Sequence, residues 1–315
     1  MRSRVPDEWV RQAEGNAEGA TRAFEEGRFE QALRMADEAV RLSQKICKRQ
    51  PGIGLWIDQL TSRLRTRAEV REALGHHRAA LSDAHEAIAA HEAGGNPKYH
   101  LFVPDLHILL AELHAALGER EPALRHSGVI EQFRQALDSG DENTHLITAR
   151  TLNRYAAVML LLGDHERADD AARECVEILR PRIGQIRRIS DIVIFGRMVY
   201  HLAQNTDPLD AEAAVKLIPL LQDGIDQMAM TVSVSPLAYG DPEQRDRGLA
   251  VLNLLERQSQ LLTVLGAPGA AAVFEHHSYH LIDEPVRTWP ETLAALRAVT
   301  DEAVRLRADP PVLGS

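Results

Sequence analysis

Aromatic residues, cysteines and strand patterns are all scarce in this chain of 315 residues. Aromatics make up 4% of it, whereas alanine and leucine, which favour helix, are abundant. Runs that alternate apolar with polar residues, as a half-buried strand does, are nearly absent. Cys47 and Cys175 stand in neither a metal-binding nor a redox spacing, and we expect both to be reduced core thiols. The sequence therefore predicts an all-α protein.

Long apolar runs and excess positive charge are also missing. No stretch reaches the length of a membrane span, and the polar N-terminal residues lack the apolar region of a secretion signal. We therefore expect a cytoplasmic protein with no membrane partner. The formal net charge of −10 argues against direct nucleic-acid binding, because phosphate contacts need clustered Lys and Arg.

Sequence motifs of the known enzyme classes are missing as well. The chain has no P-loop, no dinucleotide-binding glycine pattern and no nucleophile elbow, so we expect neither an enzyme nor a bound cofactor. The densest histidine cluster runs from Glu275 to His280. In it, His276 and His280 are four residues apart and are weak candidates for a shared metal ion. A solvated helix face is the favoured alternative there, and packing is favoured for His107 and His114.

What the sequence does contain is an internal repeat. Four glycines, each followed by the start of a new helical pattern, recur at separations of 48, 43 and 45 residues. An alanine lies five residues after each glycine, and another lies seven residues before it. The glycines are Gly27, Gly75, Gly118 and Gly163; the alanines are Ala32, Ala80, Ala123 and Ala168 after them, and Ala20, Ala68, Ala111 and Ala156 before them.

This repeat has a simple physical interpretation. A glycine ends the first helix in a left-handed conformation that costs little without a side chain. The two alanines lie where the paired helices approach most closely, so that a larger side chain would push the helices apart. One such helical hairpin cannot bury its own apolar face, and the hairpins are therefore expected to stack.

The pattern resembles the tetratricopeptide repeat (TPR), and its best instance is Thr151-Leu152-Asn153-Arg154-Tyr155-Ala156 followed by Gly163-Asp164-His165 and Ala168. It is similar to the long-period variety of kinesin light chains and bacterial TPR regulators. The large aromatic residue that the family has early in the first helix is missing here. The proline that ends the helix pair in the family is missing from most of the repeats. The resemblance implies a right-handed α-solenoid of antiparallel helix pairs, with about five to six repeats and a C-terminal capping helix.

The predicted organisation divides the chain into three parts of one continuous solenoid. Residues 1–189 hold repeats one to four, residues 190–290 hold divergent repeats five and six, and residues 291–315 hold the capping helix and a tail. The later helices are predicted over 190–204, 211–230, 247–266, 270–283 and 291–307. Two breaks in the helical pattern stand out: 179–190 joins repeats four and five, and 230–248 is predicted to be a loop.

The resemblance also implies a peptide-binding groove along the first helices of the pairs. The family's groove positions, carried over by their distance from each turn glycine, are Arg65, Glu69 and Glu72 in repeat two, Asp105 and Glu112 in repeat three, Arg150, Asn153 and Arg154 in repeat four, and Arg197 and His201 in repeat five.

The charges of these positions suggest what the groove binds. Arg150 and Arg154 are four residues apart on one helix face, and Asn153 resembles the asparagine that holds peptide backbone in the family. Together they suit an acidic side chain or a C-terminal carboxylate. The neighbouring repeats two and three are acidic. The alternative is that the arginines form ion pairs inside the array, for example with Glu112 or Glu142.

The sequence thus favours a non-catalytic scaffold that binds a protein segment or peptide. One alternative is a ligand- or peptide-sensing regulatory protein that lacks its own DNA-binding module. A third, less favoured, is an all-α metalloprotein or enzyme that uses the His276–His280 cluster. Homodimerisation, through the capping helix or through an exposed face, is compatible with the sequence, which does not decide it.

Overall fold

The computed structural model describes residues 5–94, 102–137, 142–185, 189–205, 210–229, 242–283 and 289–308. These residues form fourteen α-helices and one 3-10 helix, and no strand occurs among them, so the predicted all-α class is confirmed. Within the same residues, no helix is both long enough and apolar enough to cross a membrane. The chain forms two compact units, residues 1–139 with 157–164 (unit 1) and residues 140–156 with 165–315 (unit 2).

The helices pair as the glycine pattern predicts. In unit 1, α1 (Asp7–Glu25) precedes α2 (Phe29–Arg49), α3 (Gly54–Ala73) precedes α4 (His77–Glu92), and α5 (Phe102–Ala116) precedes α6 (Arg120–Ser127). The turn glycines that join the two helices within each of these pairs, and Gly163 between α8 and α9, have φ angles of 71–74°. Such angles strain any residue with a Cβ, which explains why glycine recurs at these positions.

The alanines at the two fixed offsets lie where the helices pack most tightly. All eight are fully buried, with an exposed fraction of 0%: Ala20, Ala32, Ala68, Ala80, Ala111, Ala123, Ala156 and Ala168. Larger residues fill the spaces between the pairs, and Leu64, Leu106 and Leu113 belong to one apolar cluster of unit 1. Small residues therefore set the helix spacing, and leucines are the most frequent residue in this cluster.

The second helix of the third pair differs from the prediction. It is broken at Gly128 into α6 and α7 (Ile130–Leu137), and α7 buries Ile130 and Phe133. The sequence pattern treats this stretch as one helix. The break follows from Gly128, whose flexible backbone makes a poor helix interior.

Unit 2 contains part of α8 (Glu142–Leu161), then α9 (His165–Leu179), a 3-10 helix (Arg180–Gln185), α10 (Ile189–Asn205), α11 (Ala211–Ala229), α12 (Pro242–Val264), α13 (Pro268–Asp283) and α14 (Trp289–Ala308). The predicted helices are all present. However, α12 begins five residues before the predicted start at Arg247, so the predicted loop is wrong at its C-terminal end. Proline suits the first position of a helix, since its missing N–H has no helical partner there. Residues 230–241 of that loop lie outside the described residues.

A further turn glycine, Gly266, joins α12 to α13 with a φ of 75°. Ala271 lies five residues after it and Ser259 seven residues before it, and both are buried. The sixth pair therefore obeys the same rule as the first four, with serine replacing one alanine.

The predicted capping helix α14 docks inside unit 2. It packs against α11 and α13, and buries a stripe formed by Leu296, Thr300 and Ala303. Thr300 Oγ1 lies 2.8 Å from Gln258 Nε2 of α12, and Arg297 Nε lies 3.0 Å from Asp226 Oδ2 of α11. This helix therefore lies over the gap that separates α11 from α13.

Candidate functional site

In unit 1, the first helices α1 and α3 border a cavity of about 290 Å³. Each helix contributes residues spaced three or four apart, which places them on one face. The lining residues are Glu14, Ala17, Glu18 and Thr21 of α1, and Gln59, Ser62, Arg63 and Thr66 of α3. We call this surface the α1–α3 cleft. Its walls combine two exposed carboxylates with hydroxyl and amide groups.

A buried cation lies at the base of the α1–α3 cleft. Arg63 is 7% exposed and donates hydrogen bonds to Ser43 Oγ of α2 and, at 3.2 Å, to Gln59 Oε1. Burial lowers the pKa of its guanidinium, and the nearby Glu14 carboxylate opposes that shift. Arginine nevertheless stays charged in proteins. Neither Glu14 nor Glu18 forms an ion pair with another described residue, and both carboxylates face water.

Three of the predicted groove residues of unit 1 contact one another on α3 and α5. Arg65 of α3 contacts Glu69 Oε1 at 3.0 Å and reaches Asp105 Oδ2 of α5 at 2.9 Å. Glu72 of α3 and Glu112 of α5 are half-buried. The acidic character predicted for repeats two and three is thus partly neutralised by Arg65.

In unit 2, Arg150 makes a two-pronged ion pair. Its Nε and Nη2 lie 2.6 and 2.8 Å from the two carboxylate oxygens of Asp191, the third residue of α10. Asp191 is 1% exposed, and its hydrogen bonds raise the pKa of the Arg150 guanidinium. The internal ion pair considered as an alternative thus describes the contact of Arg150, although its partner is not one of the acids named from the sequence.

The other predicted residues of unit 2 lie on the first helices α8 and α10. Asn153 and Arg154 are half-buried on α8, and Arg197 is exposed on α10 and forms no ion pair with any described residue. His201 lies instead against the second helix α9, where its Nε2 is 2.8 Å from Asp169 Oδ1. Arg197 therefore offers the most accessible guanidinium among the predicted set.

Side chains of the first helices also reach outward, into gaps between successive second helices. Over α3, Asp83 of α4 is 2% exposed and receives hydrogen bonds from Arg67 at 2.6 and 3.0 Å and from Arg71 at 2.7 Å. Asp37 of α2 lies 3.2 Å from Arg67. This network fills the gap between α2 and α4.

Histidines fill the next gap, between α4 and α6. Nδ1 of His107 and Nδ1 of His126 are 2.9 Å apart, so one ring donates a hydrogen bond and the other accepts it. The rings of His114 and His85 lie 5.4 and 6.2 Å from that of His126. His114 Nδ1 also lies 2.6 Å from Glu119 Oε2. Burial and the neighbouring histidines lower the pKa of His126 to about 4. The sequence predicts a packing role for His107 and His114. Both rings do pack against His126, and each also makes a polar contact, His107 with His126 and His114 with Glu119.

The gap between α9 and α11 is different, since it contains a cavity of about 780 Å³. We call it the outer groove. It is lined by Asp169, Arg173, Val176, Glu177 and Arg180 from α9 and the 3-10 helix, Leu202 and Asn205 from α10, and Ala213, Lys216, Leu217 and Leu220 from α11. Sequence reasoning did not find this groove, since it depends on three helices whose register the repeat pattern leaves uncertain.

The weak metal candidates occupy α13. His276 is exposed, and the side chain of His280 lies outside the described residues. Among the residues that are described, no three His, Cys, Asp or Glu side chains are arranged to hold a metal ion.

The two cysteines are free thiols. Cys175 lies in the core, donates to the carbonyl of Ala149 at 3.3 Å, and has its pKa raised to about 12 by burial. Cys47 is half-buried, and burial raises its pKa as well. Both arrangements disfavour the reactive thiolate.

The α1–α3 cleft was missed from the sequence, although a signal for it exists. The groove positions were counted from the glycines of repeats two to four but not from Gly27. The same distances of thirteen, ten, nine and six residues before Gly27 give the four residues of α1 that line the cleft, Glu14, Ala17, Glu18 and Thr21. Arg63 gives no such signal, because a buried arginine looks like a surface residue in sequence.

Comparisons with known proteins support the fold. No protein-family model matches the chain, and no curated protein matches it in sequence. The crystal structure of BtubC (BKLC) from P. vanneervenii matches with a TM-score of 0.52 and 15% identity, over 91% of this chain and 94% of that one. A Rap protein complexed with Competence and Sporulation Factor matches with a TM-score of 0.49 and 14% identity, over 93% and 76%. The likeness to BtubC shows the fold alone, and confirms the TPR-like helical repeat predicted from the sequence.

Proposed function

We propose that this protein is a non-catalytic scaffold that binds a protein segment or peptide along its first helices. The observation that carries the proposal is the α1–α3 cleft, with exposed Glu14 and Glu18 above buried Arg63. Such a cleft combines charge with hydrogen-bonding groups but holds no residues that suggest bond-making chemistry. We place the protein in the cytoplasm, where its free thiols would stay reduced.

The charges of the cleft favour a basic segment as its ligand. Two carboxylates four residues apart on α1 can contact a single lysine or arginine side chain. Gln59, Ser62 and Thr66 on α3 can exchange hydrogen bonds with peptide backbone. Neither Glu14 nor Glu18 forms an ion pair with another described residue, although Glu14 is close enough to Arg63 to stabilise its charge, so both carboxylates can accept a cation from a ligand.

In unit 2 the proposal rests on Arg197, with Asn153 and Arg154 as the further predicted contacts. An exposed guanidinium and an amide suit an acidic side chain or a C-terminal carboxylate. Arg150 is the least suitable of the predicted set, because its guanidinium already holds the buried Asp191 carboxylate. A ligand that recruited Arg150 would have to leave that carboxylate without its partner.

An array of immobilised 12-residue peptides with varied charge tests the proposal. We expect the full-length protein to bind the immobilised peptides that are rich in Lys or Arg. The variant Glu14→Lys with Glu18→Lys should no longer bind them. The matched control is Glu30→Lys with Glu121→Lys, which makes the same change in charge on the exposed surfaces of α2 and α6. A peptide set that is unchanged by the α1 variant, or lost equally in the control, would contradict the role of the cleft.

A further inference from the structure

Four gaps between successive second helices lie within the described parts of units 1 and 2, and three of them are filled. Over α3, the gap is filled by the Arg67–Asp83 network, and over α5 by the four histidines. Over α12, it is covered by α14, which packs on α11 and α13 and bonds to Gln258 between them. Over α10, no described residue fills the gap, which forms the outer groove of about 780 Å³.

Helix α14 shows what kind of element this type of gap accepts. It presents the apolar and small residues Leu296, Thr300 and Ala303 to the gap, spaced as on one face of an amphipathic helix. At its edge, Arg297 lies 3.0 Å from Asp226 and 3.2 Å from Asp223 on the lip formed by α11. The gap thus combines an inner surface that is buried by the helix with a charged lip that orients it.

The outer groove repeats this design with the charge reversed at its lips. Its base is apolar, and is formed by Val176 of α9, Leu202 of α10 and Leu217 of α11. Its lips carry exposed cations on opposite sides, Arg173 on α9 and Lys216 on α11. Their ion pairs, with Asp170 and Glu212, are exposed pairs within one helix, which contribute little and exchange readily.

The acids of the outer groove do not cancel this arrangement. Asp169, at one end, already accepts a hydrogen bond from Asn205 at 2.7 Å and pairs with His201. At the other end, Arg180 is held by Asp223 at 3.1 Å. Glu177 of α9 is the remaining acid of the lining, and it lies four residues after Arg173, on the same face of α9.

From these observations we propose that the outer groove is a docking site for an amphipathic helix of a partner protein. The partner helix buries an apolar stripe on Val176, Leu202 and Leu217, and places acidic side chains on both edges of that stripe, against Arg173 and Lys216. It occupies the groove as α14 occupies the next gap along unit 2. This site is separate from the first-helix surface of the proposed function, and neither depends on the other.

Two designed helical peptides test the proposal on the full-length protein. Both have 18 residues with leucines on one face and alanines elsewhere, and they differ in carrying Glu or Lys on the edges of the leucine stripe. Titrated as fluorescein conjugates in anisotropy measurements, the Glu peptide should bind at least ten times more tightly than the Lys peptide. The variant Arg173→Glu with Lys216→Glu should reverse that preference. The matched control, Arg11→Glu with Arg34→Glu on α1 and α2, should keep it.

A steric variant provides the second test. Ala213→Trp places an indole in the outer groove and should abolish binding of the Glu peptide, with helicity by circular dichroism and the melting temperature as checks on folding. Equal binding of both peptides, or no binding of either, would overturn the proposal. So would a preference that survives the charge reversal. Binding of dodecanoate without binding of the Glu peptide would also overturn it, since the site would then take a small amphipathic anion instead of a helix.

Discussion

The ion pair between Arg150 and Asp191 gives the sharpest stability prediction. The two side chains are 31% and 2% exposed, so that Asp191 depends on Arg150 for its charge compensation. Replacing Arg150 with Met keeps the helix-favouring stem but leaves a carboxylate buried without a cation. Loss of one partner of a buried pair costs about 3–5 kcal/mol. Because Arg150 is partly exposed and water can reach its place, we expect ~2–3 kcal/mol here.

Urea unfolding followed by circular dichroism at pH 7 measures this cost. A loss of this size corresponds to a fall in Tm of roughly 4–12 °C for a unit of this length. The double variant Arg150→Met with Asp191→Leu should recover most of the stability, because it removes the buried charge together with its partner. A single variant whose free energy of unfolding lies within about 0.5 kcal/mol of the wild type, as is usual for changes on the surface, would refute the reasoning.

Three further predictions follow from particular residues. The folded-state pKa of His126 is about 4, below its ordinary value of 6.5, so the folded protein binds fewer protons than the unfolded chain between these values. Stability should therefore fall as pH drops from 6.5 towards 4, and His126→Leu should reduce the slope of Tm against pH; an unchanged slope would contradict this. Gly266→Ala should destabilise by about 1 kcal/mol because of its φ of 75°, whereas Gly15→Ala, inside α1 with open space around it, should stabilise by about 0.5–1 kcal/mol. A Gly266→Ala variant that melts at or above the wild type, or a Gly15→Ala variant that melts below it, would refute that assignment. Cys175 should resist Ellman's reagent at pH 8 until the protein unfolds, since burial raises its pKa to about 12; rapid labelling of the native protein would contradict this.

The helix pairs were predictable from the sequence because their geometry depends on local features. A glycine with positive φ and two alanines at fixed offsets specify a close-packed hairpin, and each is visible as a residue type at a fixed position. The sixth pair followed the same rule through Ser259, and was predicted as a helix pair although its turn glycine was not recognised. The break at Gly128 was missed, since one glycine in a helical pattern does not by itself decide between a tolerated residue and a break.

The candidate sites were harder to predict because they depend on contacts between helices far apart in sequence. The partner of Arg150 is Asp191, 41 residues away at the start of the next first helix. Counting from a glycine gives a helix face, but not which charged residues on it are already paired. The outer groove depends on the spacing of α9 and α11, which no local pattern records.

The most direct test of the central claim, a peptide-binding cleft on the first helices, is a charge exchange in solution. A Lys-containing peptide selected on the array is labelled and titrated by anisotropy against the wild type and the variant Glu14→Lys with Glu18→Lys. The same titrations are repeated with a peptide in which Glu replaces each Lys. If Glu14 and Glu18 recognise the ligand, the wild type binds the Lys peptide and the variant binds the Glu peptide. If both proteins bind both peptides alike, the α1–α3 cleft is not the binding site.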